Sequence, residues 1–233
     1  MILAAGRGTR LGALGETTPK ILVELDGEPL LARQIRYLKD GGVERIVLNT
    51  HHLSDQIAAF VAAHPQAADV DVVFEPTLLG TAGGVRNALP LLGGAPFVVL
   101  YGDVLIDEAP AAVFATHASS RALATVTVYA TGDVEGKGAV ELAPDGTVRA
   151  FREKALERSD KETLVNAGLY VLDPALVAEL PEGAELDFGH DVFPAALRAG
   201  TRIAAHRLAD AVIDIGTPSA LSHARASAGD AAH

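Results

Sequence analysis

The 233-residue chain contains no cysteine. That excludes disulfides and thiolate metal sites and leaves the redox compartment open. Positive charge is also scarce. Nineteen Lys+Arg stand against 30 Asp+Glu, a formal net charge of −11 with His neutral. This balance argues against nucleic-acid binding, which relies on clustered Lys and Arg to neutralise phosphates. It leaves room for small phosphorylated ligands, which need only a few well-placed cations. Long apolar runs are missing too. The longest uncharged apolar stretch, around Ala88 to Gly102, is interrupted by Pro90, Gly93, Gly94 and Pro96. It reads as a helix end, a turn and a buried strand, and no membrane span is expected. Residues Met1 to Gly6 offer no basic region and too short an apolar core for a signal peptide, so a cytoplasmic location is expected. The first strand is barely three residues long, which leaves open whether the N-terminus is complete. Acyl transfer has no support either, since there is no Cys nucleophile and no Ser-His-Asp order.

What is present is globular: 49% of residues are hydrophobic and 21% charged, and the length suits one domain over 1–233 with a frayed tail at 222–233. Short apolar runs alternate with amphipathic stretches. Strands are expected at Arg45–Thr50, Val70–Phe74, Phe97–Tyr101, Ala122–Tyr129, Leu164–Leu172 and Thr201–Leu208. Helices are expected at Pro29–Asp40, Ser54–His64, Thr81–Leu89, Ala109–Ala118, Pro174–Leu180 and Pro218–Ala228. Ser54 suits an N-cap, Pro29, Pro174 and Pro218 suit first-turn positions, and Asp40-Gly41-Gly42 is a helix stop. This rhythm predicts an α/β fold, Rossmann-like and doubly wound, with a mostly parallel sheet. From about residue 122 the strands crowd together, which predicts a mixed or antiparallel C-terminal portion. In such sheets ligands bind beyond the carboxyl ends of the strands.

The turn after the first strand is therefore the first place to look for a site. It lacks the glycine at 11 that a dinucleotide-binding GxGxxG needs, because Leu11 stands there, and it lacks a P-loop GxxxxGK(S/T). Small residues from Ala4 to Gly8 nevertheless let backbone N–H groups approach an anion. Arg7, Arg10 and Lys20 add three cations close by in an acidic protein. The pattern suits a triphosphate cradle with Arg10 and Lys20 on the phosphates; the bland alternative is a glycine-rich turn with solvated basic residues.

The stretch LAAGRGTRLG…TTPKILVELDGEPLL resembles the signature of the sugar-1-phosphate nucleotidylyltransferases, nearest to the mannose- and heptose-1-phosphate guanylyltransferases. Further similar segments follow in order: LLGTAGGV at 78–85, YGDVL at 101–105, FREK at 151–154, NAGLYVLD at 166–173 and DIGTP at 214–218. The resemblance spans nearly the whole chain. It implies a nucleotide-diphospho-sugar transferase fold and a Mg2+-dependent reaction. A nucleoside triphosphate, by the likeness of the LLGTAGG loop GTP, plus a sugar 1-phosphate would give a nucleotide sugar and pyrophosphate. The left-handed β-helix tail of some family members is not expected here.

The resemblance also implies roles. Leu3, Ala4, Ala5, Gly6, Gly8, Thr9, Gly80, Thr81, Ala82, Gly83 and Gly102 would bind the nucleotide. Arg10, Lys20 and Lys154 would be catalytic, and Glu153, Asn166 and Gly168 would hold the sugar. Asp103 and Asp214 would hold Mg2+. Each aspartate ends an apolar run, where a hard cation is usefully held, but each would also serve as a turn cap. Asn166 lies inside an apolar strand and needs a partner, either sugar hydroxyls or backbone. His51 and His52 are adjacent on an extended chain and point to opposite faces, so they suit structural roles; His190 is open between a structural and a sugar-side role. Alternatives are uridylyl or cytidylyl transfer to an amino-sugar phosphate or phosphocholine, and a catalytically silent nucleotide-sugar sensor. The oligomeric state is left open, a homodimer among the options.

Overall fold

The computed structural model describes residues 1–134, 137–152, 163–210, 212–222 and 224. They form two compact units. The first comprises Met1–Leu78, Leu100–Ile106 and the described residues from Ile213 onward; the second comprises Leu79–Val99 and the described part of Asp107–Val212.

The first unit starts with β1 (Ile2–Leu3), α1 (Ala13–Thr17), a small hairpin of β2 (Glu24–Leu25) and β3 (Glu28–Pro29), and α2 (Leu30–Asp40). Then come β4 (Ile46–Thr50), α3 (Ser54–Ala63) and β5 (Val70–Phe74). β6 (Phe97–Tyr101) ends in this unit and is followed by β7 (Val104–Leu105). The strand order is β6-β1-β4-β5, and β1 is parallel to both β4 and β6, as is β4 to β5. Strands β1, β4 and β5 are laid down in one direction, and β6 then takes the other side of β1. That reversal is a topological switch, and the crevice beyond the carboxyl ends of β1 and β6 is where such sheets bind ligands. Strands β4 and β6 are almost wholly buried, which explains their unbroken apolar runs.

The second unit holds α4 (Gly80–Leu92), α5 (Pro110–Ser120), β8 (Ala124–Thr131), β9 (Ala139–Leu142), β10 (Val148–Arg152) and β11 (Thr163–Leu172). They are followed by α6 (Pro174–Ala178), a π-helical turn (Phe188–Val192), α7 (Phe193–Arg198) and β12 (Ile203–Arg207). β11 is antiparallel to β8 and β9, β10 is antiparallel to β9, and β12 is parallel to β8. The mixed, largely antiparallel C-terminal portion expected from strand crowding is present. β11 carries a bulge between Asn166 and Tyr170, with Gly168 at φ 78°.

The chain re-enters the first unit at β13 (Ile213–Asp214), antiparallel to β7. A helix begins at Pro218, its N-terminus capped by Thr217 Oγ1, which accepts from Ala220 N–H at 3.2 Å.

The six expected strands and six expected helices are all present, with local corrections. Ser54 is not the N-cap of α3: that position is Leu53, in a left-handed conformation and without a side-chain cap. Pro29 is itself the N-cap of α2, so the helix starts one residue later. Pro90 does not end α4, which runs on to Leu92. Pro174 does start α6, where Asp173 accepts from Ala175 N–H at 2.8 Å. The stop at Gly41-Gly42 holds, with Gly42 at φ 85°. Residues beyond 224 in the expected last helix and tail lie outside the described residues. No described helix is long and apolar enough to cross a membrane.

Candidate functional site

The first unit holds eleven of the expected site residues, Arg10, Lys20, Asp103 and Asp214 among them. β1 ends at Leu3, and Ala4–Gly8 run on without regular structure; Gly8, at φ 65°, turns the chain into the 3-10 turn Thr9–Leu11 that carries Arg10. Gly6, Arg7, Thr9 and Arg10 are exposed while Leu11 is buried. Lys20 opens a second 3-10 turn over Lys20–Leu22. Asp103 lies between β6 and β7, where Gly102 N–H donates to the Leu3 carbonyl at 2.9 Å and ties the ends of β6 and β1 together. β13 pairs Asp214 with Val104, and Ile215 N–H donates to the Asp103 carbonyl at 2.9 Å. A two-residue ladder therefore brings Asp214 beside Asp103 although they are far apart in sequence.

The side chains converge. Lys20 Nζ donates to Asp103 Oδ2 at 2.5 Å, with the side chains 14% and 27% exposed. Asp214 Oδ1 accepts from Gly216 N–H at 2.7 Å. A β-carbon on Gly216 would lie 2.8 Å from Asp214 Oδ1 and 3.0 Å from both Arg10 Nη2 and Lys20 Nζ. Gly216 is thus the floor beside which two cations and a carboxylate lie, and a side chain there would displace their ends. Asp214 does cap a turn, at Gly216 N–H and not at Thr217 or the helix that begins at Pro218, and its Oδ1 borders the same space beside Gly216 as Arg10 Nη2 and Lys20 Nζ.

Below these polar groups lies a small apolar cluster: Leu11, Val23, Leu25, Leu30, Ile215, Leu221 and Ala224, flanked by Leu105 and Ile213. Leu11 follows Arg10 and Ile215 follows Asp214, so burying each apolar side chain aims its polar neighbour. Asp103 and Asp214 offer hard oxygen donors. Among the described residues no group of three or more His, Cys, Asp or Glu could hold a metal. A divalent ion here would complete its shell with ligand oxygens, and this suits magnesium on a phosphate rather than a metal caged by protein alone.

Not every expected donor is free. The Ala4 N–H donates to Asn49 Oδ1 at 2.9 Å. In the second unit, Ala82 and Gly83 N–H at the start of α4 both donate to the Leu186 carbonyl, at 2.9 and 3.2 Å. Thr81 Oγ1 donates to Asp187 Oδ2 at 2.8 Å and accepts from Phe188 N–H at 2.9 Å. Gly80 stands at φ 70°, and a β-carbon there would run into the Leu186 carbonyl. Gly80–Gly83, expected as a loop opening a helix, is itself the first turn of α4, and its small residues have a packing reason, to let the 184–188 segment approach. Asp187 is a residue that sequence reasoning missed. It also accepts from Gly189 and His190 N–H, at 2.7 and 3.0 Å, and its own N–H donates to Asp191 Oδ2 at 2.8 Å. That last bond holds the Asp191 carboxyl below the usual range, helped by His190.

Asn166 has a side-chain partner: its Nδ2 donates to the Tyr170 hydroxyl at 2.6 Å, while its Oδ1 accepts from Gly168 N–H at 3.1 Å. Tyr170 packs edge-on against Phe188 and Phe193, and Phe151 tilts against Phe193. These rings support Asn166, the Asp187 turn and the start of FREK. Glu153 and Lys154 themselves lie outside the described residues. His51 Nδ1 pairs with the Glu75 carbonyl at 2.8 Å and His52 Nε2 with the Gly15 carbonyl at 3.2 Å, so the two rings turn to different backbone partners. His190 Nδ1 pairs with Asp191 at 2.7 Å.

A parallel sheet with a cation-rich turn and two aspartates at its switch point defines the class, an α/β protein with a charged cluster at the carboxyl ends of its strands. A family model described as "Nucleotidyl transferase" matches residues 1–230. The chain is 33% identical to the N-acetylmuramate alpha-1-phosphate uridylyltransferase of Neisseria meningitidis, over 98% of this chain and 97% of that one. It is 30% identical to the mannose-1-phosphate guanylyltransferase of Mycobacterium tuberculosis, covering 94% of this chain but 61% of that relative, so it spans about three fifths of that longer protein. Among solved structures, HddC from Yersinia pseudotuberculosis complexed with GMP-PN superposes with a TM-score of 0.80 at 27% identity, over 97% of each chain. The chain belongs to the nucleotidyl transferase family.

Proposed function

We propose that the protein transfers a nucleoside monophosphate from a nucleoside triphosphate to a sugar 1-phosphate, releasing pyrophosphate, with GTP as the nucleotide. The observation that carries this reading is the meeting of Arg10, Lys20 and Asp214 around Gly216, with Asp103 on Lys20. Transfer at phosphorus is mostly positioning and charge neutralisation. The sugar phosphate oxygen is already an anion at neutral pH, so no general base is needed. Two anions must be brought together in line, and Arg10 and Lys20 offset their repulsion, with Lys20 near the reacting centre and Arg10 on the α-phosphate and leaving pyrophosphate. Lys154 would take the incoming sugar phosphate, and Glu153 and Asn166 its hydroxyls. Asp103 and Asp214 would hold magnesium. Bound there, the ion supplies neutralisation of phosphate oxygens and screens the two carboxylates from one another.

The guanylyl choice is supported by the likeness of the LLGTAGG loop to guanylyltransferases and by the relatives from Mycobacterium and Yersinia. A uridylyl reading is favoured by the Neisseria relative, the one of the three that matches this chain end to end at the highest identity. Pyrophosphate release measured over a matrix of triphosphates against hexose, heptose and amino-sugar 1-phosphates separates them. GTP is expected to turn over best. Equal or better turnover with UTP or CTP overturns the guanylyl assignment, and no release with any pair overturns nucleotidylyl transfer.

The metal assignment has its own test. Asp103→Asn and Asp214→Asn keep the cap geometry, since Asn caps as well as Asp. Both are expected to lose most turnover, with partial rescue by raised magnesium or by manganese. Near-normal turnover of both at low magnesium would falsify the metal role. Lys154→Ala should weaken use of the sugar 1-phosphate while calorimetry finds triphosphate binding nearly intact; equal loss of triphosphate affinity in Lys154→Ala and Arg10→Ala reverses the assignment of sides.

A further inference from the structure

Glu75 is completely buried and Asn49 is 2% exposed, yet neither belongs to the set of residues placed on phosphate, metal or sugar above. Glu75 directly follows β5, with its N–H donating to the Thr50 carbonyl at 2.8 Å and its own carbonyl meeting His51 Nδ1 at 2.8 Å. Its main chain is therefore pinned from β4 and the turn after it. Its carboxylate Oε1 accepts from Asn49 Nδ2 at 2.7 Å. Asn49 Oδ1 in turn accepts from the Ala4 N–H at 2.9 Å. An amide side chain has one accepting and one donating end. With Nδ2 donating to Glu75, Asn49 turns its oxygen toward the Ala4 N–H.

The peptide group so held is the last one of β1. Its carbonyl, that of Leu3, accepts from Gly102 N–H at 2.9 Å on the β6 side. Its N–H is taken by Asn49 on the β4 side. β1 leaves the sheet at this point, and the Asn49 side chain replaces the ladder partner that the N–H would otherwise lose. With both ends of the Leu3–Ala4 peptide held, its plane is set, and so is the direction in which the irregular Ala5–Gly8 backbone departs. Those are the N–H groups left to face an anion once the Ala4 N–H is engaged.

We propose that Glu75, acting through Asn49, is a positioning residue for the phosphate turn, so that a buried carboxylate at the sheet edge sets triphosphate affinity without touching the ligand. This rests on the nucleotidylyl-transfer reading for what the turn binds, but not for the clamp itself. The test uses three variants of the whole chain. Glu75→Gln can still accept from Asn49 through its amide oxygen and should raise the triphosphate KM only about two- to threefold. Asn49→Asp sets two carboxylates face to face and should raise it about tenfold or more, with the KM for sugar 1-phosphate within about twofold of normal. In the double variant, Glu75→Gln with Asn49→Asp, the new amide at position 75 donates to the new carboxylate at position 49. That carboxylate also accepts from the Ala4 N–H, so the clamp is rebuilt with its polarity moved. Triphosphate KM is expected to return to within about threefold of the parent.

Amide exchange of Ala4 in the substrate-free protein gives the second readout. It should accelerate in Asn49→Asp and slow again in the double variant. If Asn49→Asp does not fold, Asn49→Ala takes its place, with the same loss expected in triphosphate KM and Ala4 protection. A double variant no better than the product of the singles, equal loss on both substrates, or unchanged Ala4 exchange overturns the proposal. Restored exchange in the double variant of a chain that releases no pyrophosphate with any substrate pair keeps the clamp and overturns the reaction.

Discussion

Gly216 shows how little room the site leaves at the scale of one residue. A methyl group there would meet Asp214 Oδ1, Arg10 Nη2 and Lys20 Nζ, all at 3.0 Å or less. These are the ends of side chains rather than backbone, so they can yield at small cost to folding. They cannot yield without leaving the positions that the proposed chemistry needs. Gly216→Ala is therefore expected to melt close to the parent temperature while losing about tenfold to a hundredfold in kcat/KM, the scale of a ~1 Å misplacement. A large fall in melting temperature with activity per folded molecule unchanged would sink this account. The DIGTP segment flagged Asp214 from sequence, but the role of its glycine was not legible there, because the atoms it makes way for come from residues 10 and 20.

Two elements of only two residues each, β7 and β13, bring Asp103 and Asp214 together. Neither is long enough to leave a periodic signal in the sequence. Their place is held by the apolar cluster around Leu11 and Ile215. Leu11→Ala is expected to cost about 2–5 kcal/mol of stability and to lower turnover further than an equally destabilising Leu25→Ala, since Leu11 adjoins Arg10. Denaturant midpoints and single-turnover rates on the two variants decide this. The π-helical turn at Phe188–Val192 escaped the sequence reading for a related reason: DFGHD carries no helical period, and its shape comes from Asp187 accepting two backbone N–H groups. In α5, His117 is buried against Thr125, with Nδ1 and Oγ1 3.0 Å apart, and burial holds its pKa below the ordinary 6.5. The folded protein then resists a proton that the unfolded chain accepts. Stability should fall as pH drops below 6.5 and level off beneath the folded value. Melting temperatures from about pH 8 to about pH 5 in the parent and His117→Gln test this, the variant being expected to show the smaller acid loss.

For the molecule as a whole, the order β6-β1-β4-β5 places an edge at β5, where Phe74 is 55% exposed and Val72 36%. An apolar edge invites association. Phe74→Thr is expected to leave stability within about 0.5 kcal/mol of the parent and to reduce light scattering at high concentration; an unchanged scattering curve counts against β5 as the sticky surface. The alternation of apolar strands and amphipathic helices, the phosphate-friendly first turn, and Arg10, Lys20, Asp103 and Asp214 as the residues to watch were legible in the sequence alone. Local chemistry sets each of these: side-chain period, glycine turns and charge at strand ends. The strand order, the Lys20–Asp103 pair, the gap at Gly216, and the engagement of Ala4, Thr81, Ala82 and Gly83 by other parts of the chain were decided only by the tertiary structure. A donor's availability depends on which distant acceptor arrives beside it, and no spacing along a sequence specifies that.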